Sequence, residues 1–256
     1  HTLHKFPQDL YNIILNNKRI EDIINIDGEI VEGLPIKRDD KIKASVTIMY
    51  GCNNFCSYCI VPYVRGRERS RKMEAIVEEC KCLVDSGYKE ITLLGQNVNA
   101  YGNDLNLGYD FSDLLENVAK LGIPRLRFVT SHPWNFTDKM IDVIAKYENV
   151  MPYIHLPIQS GSDKILKKMN RKYTKEEYIT LFNKMKEKIP NVCITTDIIV
   201  GFPGETNEDF EETLDIVNKL KYDGAYTFIY SERKGTASSF MKDDVSIEEK
   251  ENRLHR

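Results

Sequence analysis

The sequence predicts an α/β fold built on a parallel sheet of six strands. Three observations carry this. Short runs rich in β-branched residues, at 45–50, 90–94, 125–130, 152–156, 192–200 and 225–230, alternate with amphipathic helical stretches. The intervals leave room for helical crossovers, which parallel neighbours require. The residues with the most distinctive chemistry follow the strands, and in parallel βα sheets functional groups gather beyond the carboxyl ends of strands. Six repeats are too few for a closed eight-stranded barrel.

Taken in order, Pro7 opens a short helix that places Leu10, Ile13 and Ile14 inward, and Asp27-Gly28 and Gly33-Leu34-Pro35 mark turns. The first strand runs into a cysteine-rich loop. The next helix carries Met73, Ile76, Val77, Cys80, Leu83 and Val84 at helical spacing and stops at Gly87, so Cys80 reads as a buried small hydrophobe. Further helices fit 111–121, 137–147, 174–188 and 207–220, and Ser246–Arg256 is helix-like. Gly95-Gln96-Asn97 follows the second strand and Ser131-His132 the third. Gln159-Ser160 follows the fourth, Gly201-Phe202-Pro203-Gly204 the fifth and Ser231 the sixth.

A length of 256 residues, 41% hydrophobic and 29% charged, suits one large soluble α/β domain with appendages. No apolar run reaches the ~18 residues of a membrane span. Six cysteines without an evenly spaced ladder or a targeting segment point to a reducing cytoplasm. The net charge of −3 argues against wholesale affinity for nucleic acid. Locally, Arg65, Arg67, Arg69, Arg71 and Lys72 crowd together just after the cysteine loop. The run is either a solvated loop or a contact for RNA or cofactor; its position and the planar fork of arginine favour contact.

That loop reads Cys52-Asn53-Asn54-Phe55-Cys56-Ser57-Tyr58-Cys59. Three thiolates on one short loop can hold three corners of a cubane iron–sulfur cluster; full ligation takes four cysteines, so one iron stays open to a small molecule. A structural zinc site would be closed by a fourth ligand. Cys80 and Cys82, two apart on a helix, do not face the same way.

With Tyr58 before the last cysteine, the loop resembles the radical S-adenosylmethionine (SAM) motif. Ile60–Arg71, Leu94–Gly102, Ser131-His132-Pro133, Leu156–Asp163, Met169-Asn170-Arg171 and Asp197–Thr206 resemble the methylthiotransferase branch of that family. The motif Gly95-Gln96-Asn97-Val98-Asn99 resembles members acting on isopentenylated adenosine in tRNA. The resemblance implies an open (βα)6 three-quarter TIM barrel of the radical SAM type, in a fragment of a longer chain. It implies the end of an N-terminal domain and linker at 1–40, the radical SAM core at 41–235, and at 236–256 the start of a connection to a C-terminal RNA-binding β-domain. The implied cofactors are a [4Fe-4S] cluster, SAM, and a second [4Fe-4S] cluster in the N-terminal domain. The implied partners are tRNA and a flavodoxin-like or ferredoxin-like electron donor, with no membrane. The implied reaction adds a methylthio group at C2 of the adenine. The same chemistry on threonylcarbamoyl-adenosine tRNA or on a ribosomal-protein aspartate is an alternative, as is a non-catalytic cluster-bearing RNA-binding module.

The resemblance also implies residue roles. Cys52, Cys56 and Cys59 hold the catalytic cluster as thiolates, and Tyr58 flanks the SAM adenine. Gln96 and Asn97 stand where the superfamily has a Gly-Gly-Glu motif for the SAM amino group; the carboxylate is absent, so carbonyl oxygens must serve. Gln159 and Ser160 read as ribose or methionine contacts, Ser131 and Asp197 as further cofactor contacts, and Arg171 as a partner of the SAM carboxylate or a surface residue. Gly201 and Gly204 let backbone approach a ligand, or in the case of Gly204 form a plain turn. Arg65, Arg67 and Arg69 are candidate RNA contacts. His132 and His155 read as hydrogen-bonded structural residues, and Trp134 as a packed aromatic or a base stacker.

Overall fold

A computed structural model describes residues 5–17, 19–21, 30–33, 36–129 and 131–256. In chain order the strands are β1 (Lys43–Thr47), β2 (Met49–Tyr50), β3 (Arg69–Ser70), β4 (Glu90–Leu94), β5 (Arg125–Phe128), β6 (Tyr153–His155), β7 (Cys193–Val200) and β8 (Gly224–Ile229). The helices are α1 (Phe6–Asn16), α2 (Val61–Arg65), α3 (Met73–Asp85), α4 (Phe111–Ala119), α5 (Asp138–Lys146), α6 (Asp163–Lys168), α7 (Lys175–Lys188), α8 (Asn207–Leu220) and α9 (Ile247–His255).

The six long-range strands pair in parallel, in the order β1-β4-β5 and β6-β7-β8. One bridge, Leu126 with Val150, joins the two halves next to β5, held by Leu126 N donating to Asn149 O and Met151 N to Leu126 O. No pairing of β8 with β1 occurs among the described residues, so the sheet curls without closing.

Alternation along the strands sets the two faces. Val46, Ile91, Leu93, Leu126, Phe128, Ile154, Ile194 and Ile198 are buried against the helices. Ser45, Thr47, Thr92, Arg127, His155 and Asp197 line the concave face and stay half-buried or exposed. The helices hold that core through regular apolar spacing: α3 buries Ile76, Cys80 and Leu83, and α7 buries Tyr178, Ile179, Phe182 and Met185. Capping boxes start α4 (Asp110 with Asp113), α7 (Thr174 with Glu177) and α8 (Thr206 with Asp209), each worth ~1 kcal/mol. Helix α9 returns across β7 and β8, burying Lys250 and Arg253.

Three expectations need correction. The strand expected at 45–50 is broken at Ile48: β1 pairs with β4, and the next two residues turn to pair antiparallel with β3. Leu10, Ile13 and Ile14 do not face inward; α1 buries none of its residues against the described chain. An apolar stripe shows that a helix is amphipathic, not what covers it. Helices α2 and α6 were not foreseen, because five and six residues are too few for a period to emerge. The turns expected at Asp27-Gly28 and Leu34-Pro35 lie outside the described residues.

Candidate active site

The cysteine loop leaves the sheet from β2 and is held by the segment that precedes and opens β3. Gly51 sits at φ +72°, where a Cβ would lie 2.0 Å from Arg67 O, so only glycine permits this approach. Cys52 N donates to Gly66 O at 3.2 Å. The Glu68 carboxylate accepts from Asn53 N at 3.1 Å and Asn53 Nδ2 at 3.2 Å. Across the mouth, Ser57 N donates to Met169 O, Asn170 Nδ2 to Phe55 O, and Ser238 N to Ser57 O, at 3.0, 2.9 and 2.8 Å. The stretch after α6 and the turn before α9 therefore hold the loop from its far side.

Cys52 is buried, and Cys56 and Cys59 are half-buried. Burial pushes the Cys52 thiol up to about 12, with Glu68, Cys56 and Cys59 adding to the rise. Burial also raises Cys59, with Cys56 adding to it. The three sulfurs thus lie near enough to feel one another. Yet among the described residues no three Cys, His, Asp or Glu side chains converge to hold a single metal ion. A cubane cluster suits this arrangement, because each thiolate binds a different iron and a bound metal centre deprotonates its thiols outright.

Around the loop stand the other strand-end residues. Tyr58 packs on the Ile165–Met169–Phe202–Tyr230 group, and burial raises its hydroxyl well above the ordinary value. Gln96 is half-buried. Asn97 is buried and donates to Asn135 Oδ1 at 3.0 Å, while its own Oδ1 has no partner among the described residues. Glu68, from a distant segment, brings a carboxylate to this side of the site, where Asn53 N and Nδ2 bond it. Burial pushes its carboxyl up against the lowering bond from Asn53 N.

Gln159 holds φ +72°, a strained value for a non-glycine residue, and its Oε1 is buried without a partner among the described residues. Such strain persists where the surroundings over-determine it, often at functional sites. Asp197 Oδ2 faces His155 Nε2 at 3.2 Å, and His155 Nδ1 meets Thr195 Oγ1 at 3.0 Å, so His155 has the hydrogen-bonded role expected of it. His132 does not: both ring nitrogens lack partners among the described residues, although its backbone is bonded to Asn99. Burial, with Arg171 and Lys172 nearby, holds that ring neutral down to about 2.

Several candidates are turned elsewhere. The Ser160 hydroxyl meets Thr213 on α8 at 3.4 Å and accepts from Ser162 N. Ser131 donates to His155 O. A Cβ at Gly201 or Gly204 would meet the side chain of Lys250 or Lys168 respectively. Arg171 is buried, not superficial, and its guanidinium contacts Tyr173, Pro157 O and Cys56 Sγ. Trp134 is half-buried against the core with Lys172 Nζ 4.2 Å from its ring centre.

The basic run divides. Arg65 and Arg67 are exposed, Arg67 lying over Phe55, and Arg69 is half-buried over Tyr50. Arg71 is internal, paired with Glu32 and Glu79 at 2.6 and 2.7 Å. Sequence reasoning missed Glu68, Tyr173 and the Met169-Asn170 clasp. Glu68 left a signal as the lone acid inside an arginine run, and Met169-Asn170 as part of a family motif whose role the sequence did not show.

An unclosed six-stranded βα sheet with three thiols on one loop at its mouth fits an enzyme class that holds an open-cornered iron–sulfur cluster for radical chemistry. The chain belongs to the radical SAM superfamily, whose family model matches residues 46–217. That family implies a [4Fe-4S] cluster and SAM. Over 257 aligned residues the chain is 53% identical to the tRNA-2-methylthio-N(6)-dimethylallyladenosine synthase of Staphylococcus epidermidis, covering 100% of this chain and 50% of the relative. It is 56% identical over 256 residues to the protein of that name from Caldicellulosiruptor saccharolyticus, with 100% and 54% covered. The chain spans about half the length of the curated relatives it matches. Among solved structures, the radical SAM methyltransferase TsrM of Kitasatospora setae superposes with a TM-score of 0.61 at 20% identity, over 78% of this chain and 39% of that one. Coproporphyrinogen III oxidase HemN of Escherichia coli gives 0.60 at 18%, over 84% and 51%. These two likenesses are of fold. No described helix is long and apolar enough to cross a membrane.

Proposed function

We propose that this chain is the SAM-cleaving core of a cytoplasmic tRNA methylthiotransferase, which replaces C2–H of N6-isopentenyladenosine, beside the anticodon, with C2–S–CH3. The observation that carries this reading is the three-thiol loop at the mouth of the open sheet, in a chain more than half identical along its whole length to relatives of that name. When bound, the cluster and SAM supply a 5′-deoxyadenosyl radical through reductive cleavage, the hard chemistry being the cofactor's. Cys52, Cys56 and Cys59 hold the metal, and Glu68, through Asn53, fixes the loop. The Asn97 and Gln159 oxygens, without partners among the described residues, offer acceptors to an ammonium or ribose hydroxyl. Asp197, oriented by His155, offers a carboxylate on the concave face. Tyr58 flanks the adenine. Arg65 and Arg67 face solvent beside the loop, where tRNA phosphates would meet them. Residues 41–235 form the core, 1–40 lead from an N-terminal domain bearing the second cluster, and 236–256 lead toward an RNA-binding domain. A flavodoxin-like or ferredoxin-like protein supplies the electron.

The test separates the two halves of the reaction. Reconstituted, reduced and given SAM, the 256-residue chain is expected to form 5′-deoxyadenosine and to leave isopentenylated tRNA without a methylthio group. Mass spectrometry of the digested tRNA reads the second outcome. Methylthiolated adenosine made by this chain alone overturns the two-cluster reading. Iron retained after replacement of Cys52, Cys56 and Cys59 by Ala overturns the site itself.

A further inference from the structure

Among the described residues three arginines are nearly buried: Arg71, Arg171 and Arg253, at 9, 8 and 5% exposure. Arg71 is paired with Glu32 and Glu79, and Arg253 with Glu205 and Glu249. Arg171 has no carboxylate partner among the described residues. Its Nε donates to Tyr173 Oη at 2.9 Å, its NH2 to Pro157 O at 2.9 Å, and its NH1 points at Cys56 Sγ, 3.4 Å away. Its guanidinium carbon lies 5.2 Å from the centre of the Tyr173 ring. A cation taken out of water without a counter-charge loses several kcal/mol. The sulfur is the one group in contact with this guanidinium that becomes anionic when metal is bound.

We infer that the counter-charge of Arg171 is the metal-bound thiolate of Cys56, and that Arg171 is a positioning residue which raises the reduction potential of the cluster instead of clamping the SAM carboxylate. The inference rests on the reading that Cys52, Cys56 and Cys59 hold a [4Fe-4S] cluster. Hydrogen bonds to cluster sulfurs and local charge are established determinants of potential. An N–H directed at the thiolate and a fixed positive charge both favour the form carrying the extra electron. The fork geometry supports the assignment. Tyr173 and Pro157 fix Nε and NH2, which leaves NH1 aimed at the sulfur. Each guanidinium nitrogen has a protein partner, and turning the fork toward a free carboxylate would break these contacts in a buried place. Tyr173 is itself fixed, its hydroxyl lying 2.8 Å from Ile158 O. A lysine would keep the charge and lose the fork.

The test uses the 256-residue chain loaded with iron and sulfide, as wild type, Arg171→Met and Arg171→Lys. Each is titrated with dithionite and mediators while the reduced cluster is followed by electron paramagnetic resonance, and SAM binding is measured by equilibrium dialysis. For Arg171→Met, the ratio of reduced to oxidised cluster at a fixed poise is expected to fall about tenfold or more, a shift of about 59 mV to the negative for a one-electron couple. Arg171→Lys is expected to lose about threefold to tenfold on the same scale. SAM affinity is expected to stay within about threefold in both, equivalent to under 1 kcal/mol. An unchanged potential with SAM binding weakened about tenfold or more returns Arg171 to the cofactor's carboxylate and overturns the inference. Should Arg171→Met fail to load or fold, Arg171→Lys decides by the same two readouts. A wild-type chain that takes up no iron overturns the cluster reading, and this inference with it, before any variant is compared.

Discussion

Replacing Gly51 by Ala tests whether the loop is held by backbone contact. The new Cβ would stand 2.0 Å from Arg67 O, 2.5 Å from Arg67 C and 2.6 Å from Gly66 O, all main-chain atoms that cannot swing aside. The residue also holds φ +72°, where a side chain adds ~1–2 kcal/mol of strain. Relief by moving the loop off residues 66–68 gives up the Cys52 N to Gly66 O bond, worth ~0.5–1.5 kcal/mol. The sum is roughly 1.5–3.5 kcal/mol of stability. Cys52 moves with the loop, so iron uptake falls too. Urea denaturation followed by circular dichroism measures the first effect, and iron per chain after anaerobic loading the second. Gly87→Ala is the control: φ is +87° there but nothing lies within 4 Å of the added carbon, so strain alone applies and loading is untouched. A Gly51→Ala chain less than about 0.5 kcal/mol destabilised and fully loaded with iron would refute the argument.

The remaining predictions concern charge. Burial opposes ionisation of Asp209, but Lys164 at 2.6 Å, Thr206 N at 2.9 Å and the Ser162 hydroxyl at 2.7 Å outweigh it and hold the carboxyl at about 2. A depressed folded-state value gives stability that is present above the unfolded value of 3.8 and lost as pH falls toward about 2. Asp209→Asn should therefore remove roughly 2 kcal/mol at neutral pH and flatten the acid limb of the stability curve between those values; an acid limb as steep as wild type would count against it. Reversing Arg65 and Arg67 to Glu in the longer protein should reduce the slope of log affinity for tRNA against log salt by at least about one unit. An unchanged slope returns both residues to ordinary solvated surface.

The strands and the larger helices were legible because each rests on local pattern: β-branched runs for the sheet, and apolar spacing with Thr174 or Thr206 caps for α7 and α8. The cysteine loop was legible for the same reason, since its ligands lie within one short segment. What escaped depends on pairings across the fold. Ile48 continues a β-branched run, and only the competing partner β3 shows why the strand turns there. Glu68, inside the arginine run, carried no reading of its own, yet it bonds Asn53, fifteen positions away. Arg171 could be placed near the cofactor from its motif, but its direction depends on Tyr173 and Pro157. Ser160 looked like a ligand contact because a polar residue ended an apolar strand; its partner Thr213 lies on a helix 53 positions on.

The two three-stranded halves share one strand-level bridge, but the cysteine loop, which grows from the first half, is sewn to the second at Met169, Asn170, Arg171 and Ser238. The loop is thus a fastener between halves as well as a metal holder. Anything that binds only the folded form draws the whole equilibrium toward it by mass action. Filling the three thiols would therefore tighten a seam that the sheet itself leaves nearly unstitched, and emptying them would loosen it. Metal occupancy would thus add to the cohesion that the shared apolar core and the packing of α5 on α7 already give the two halves.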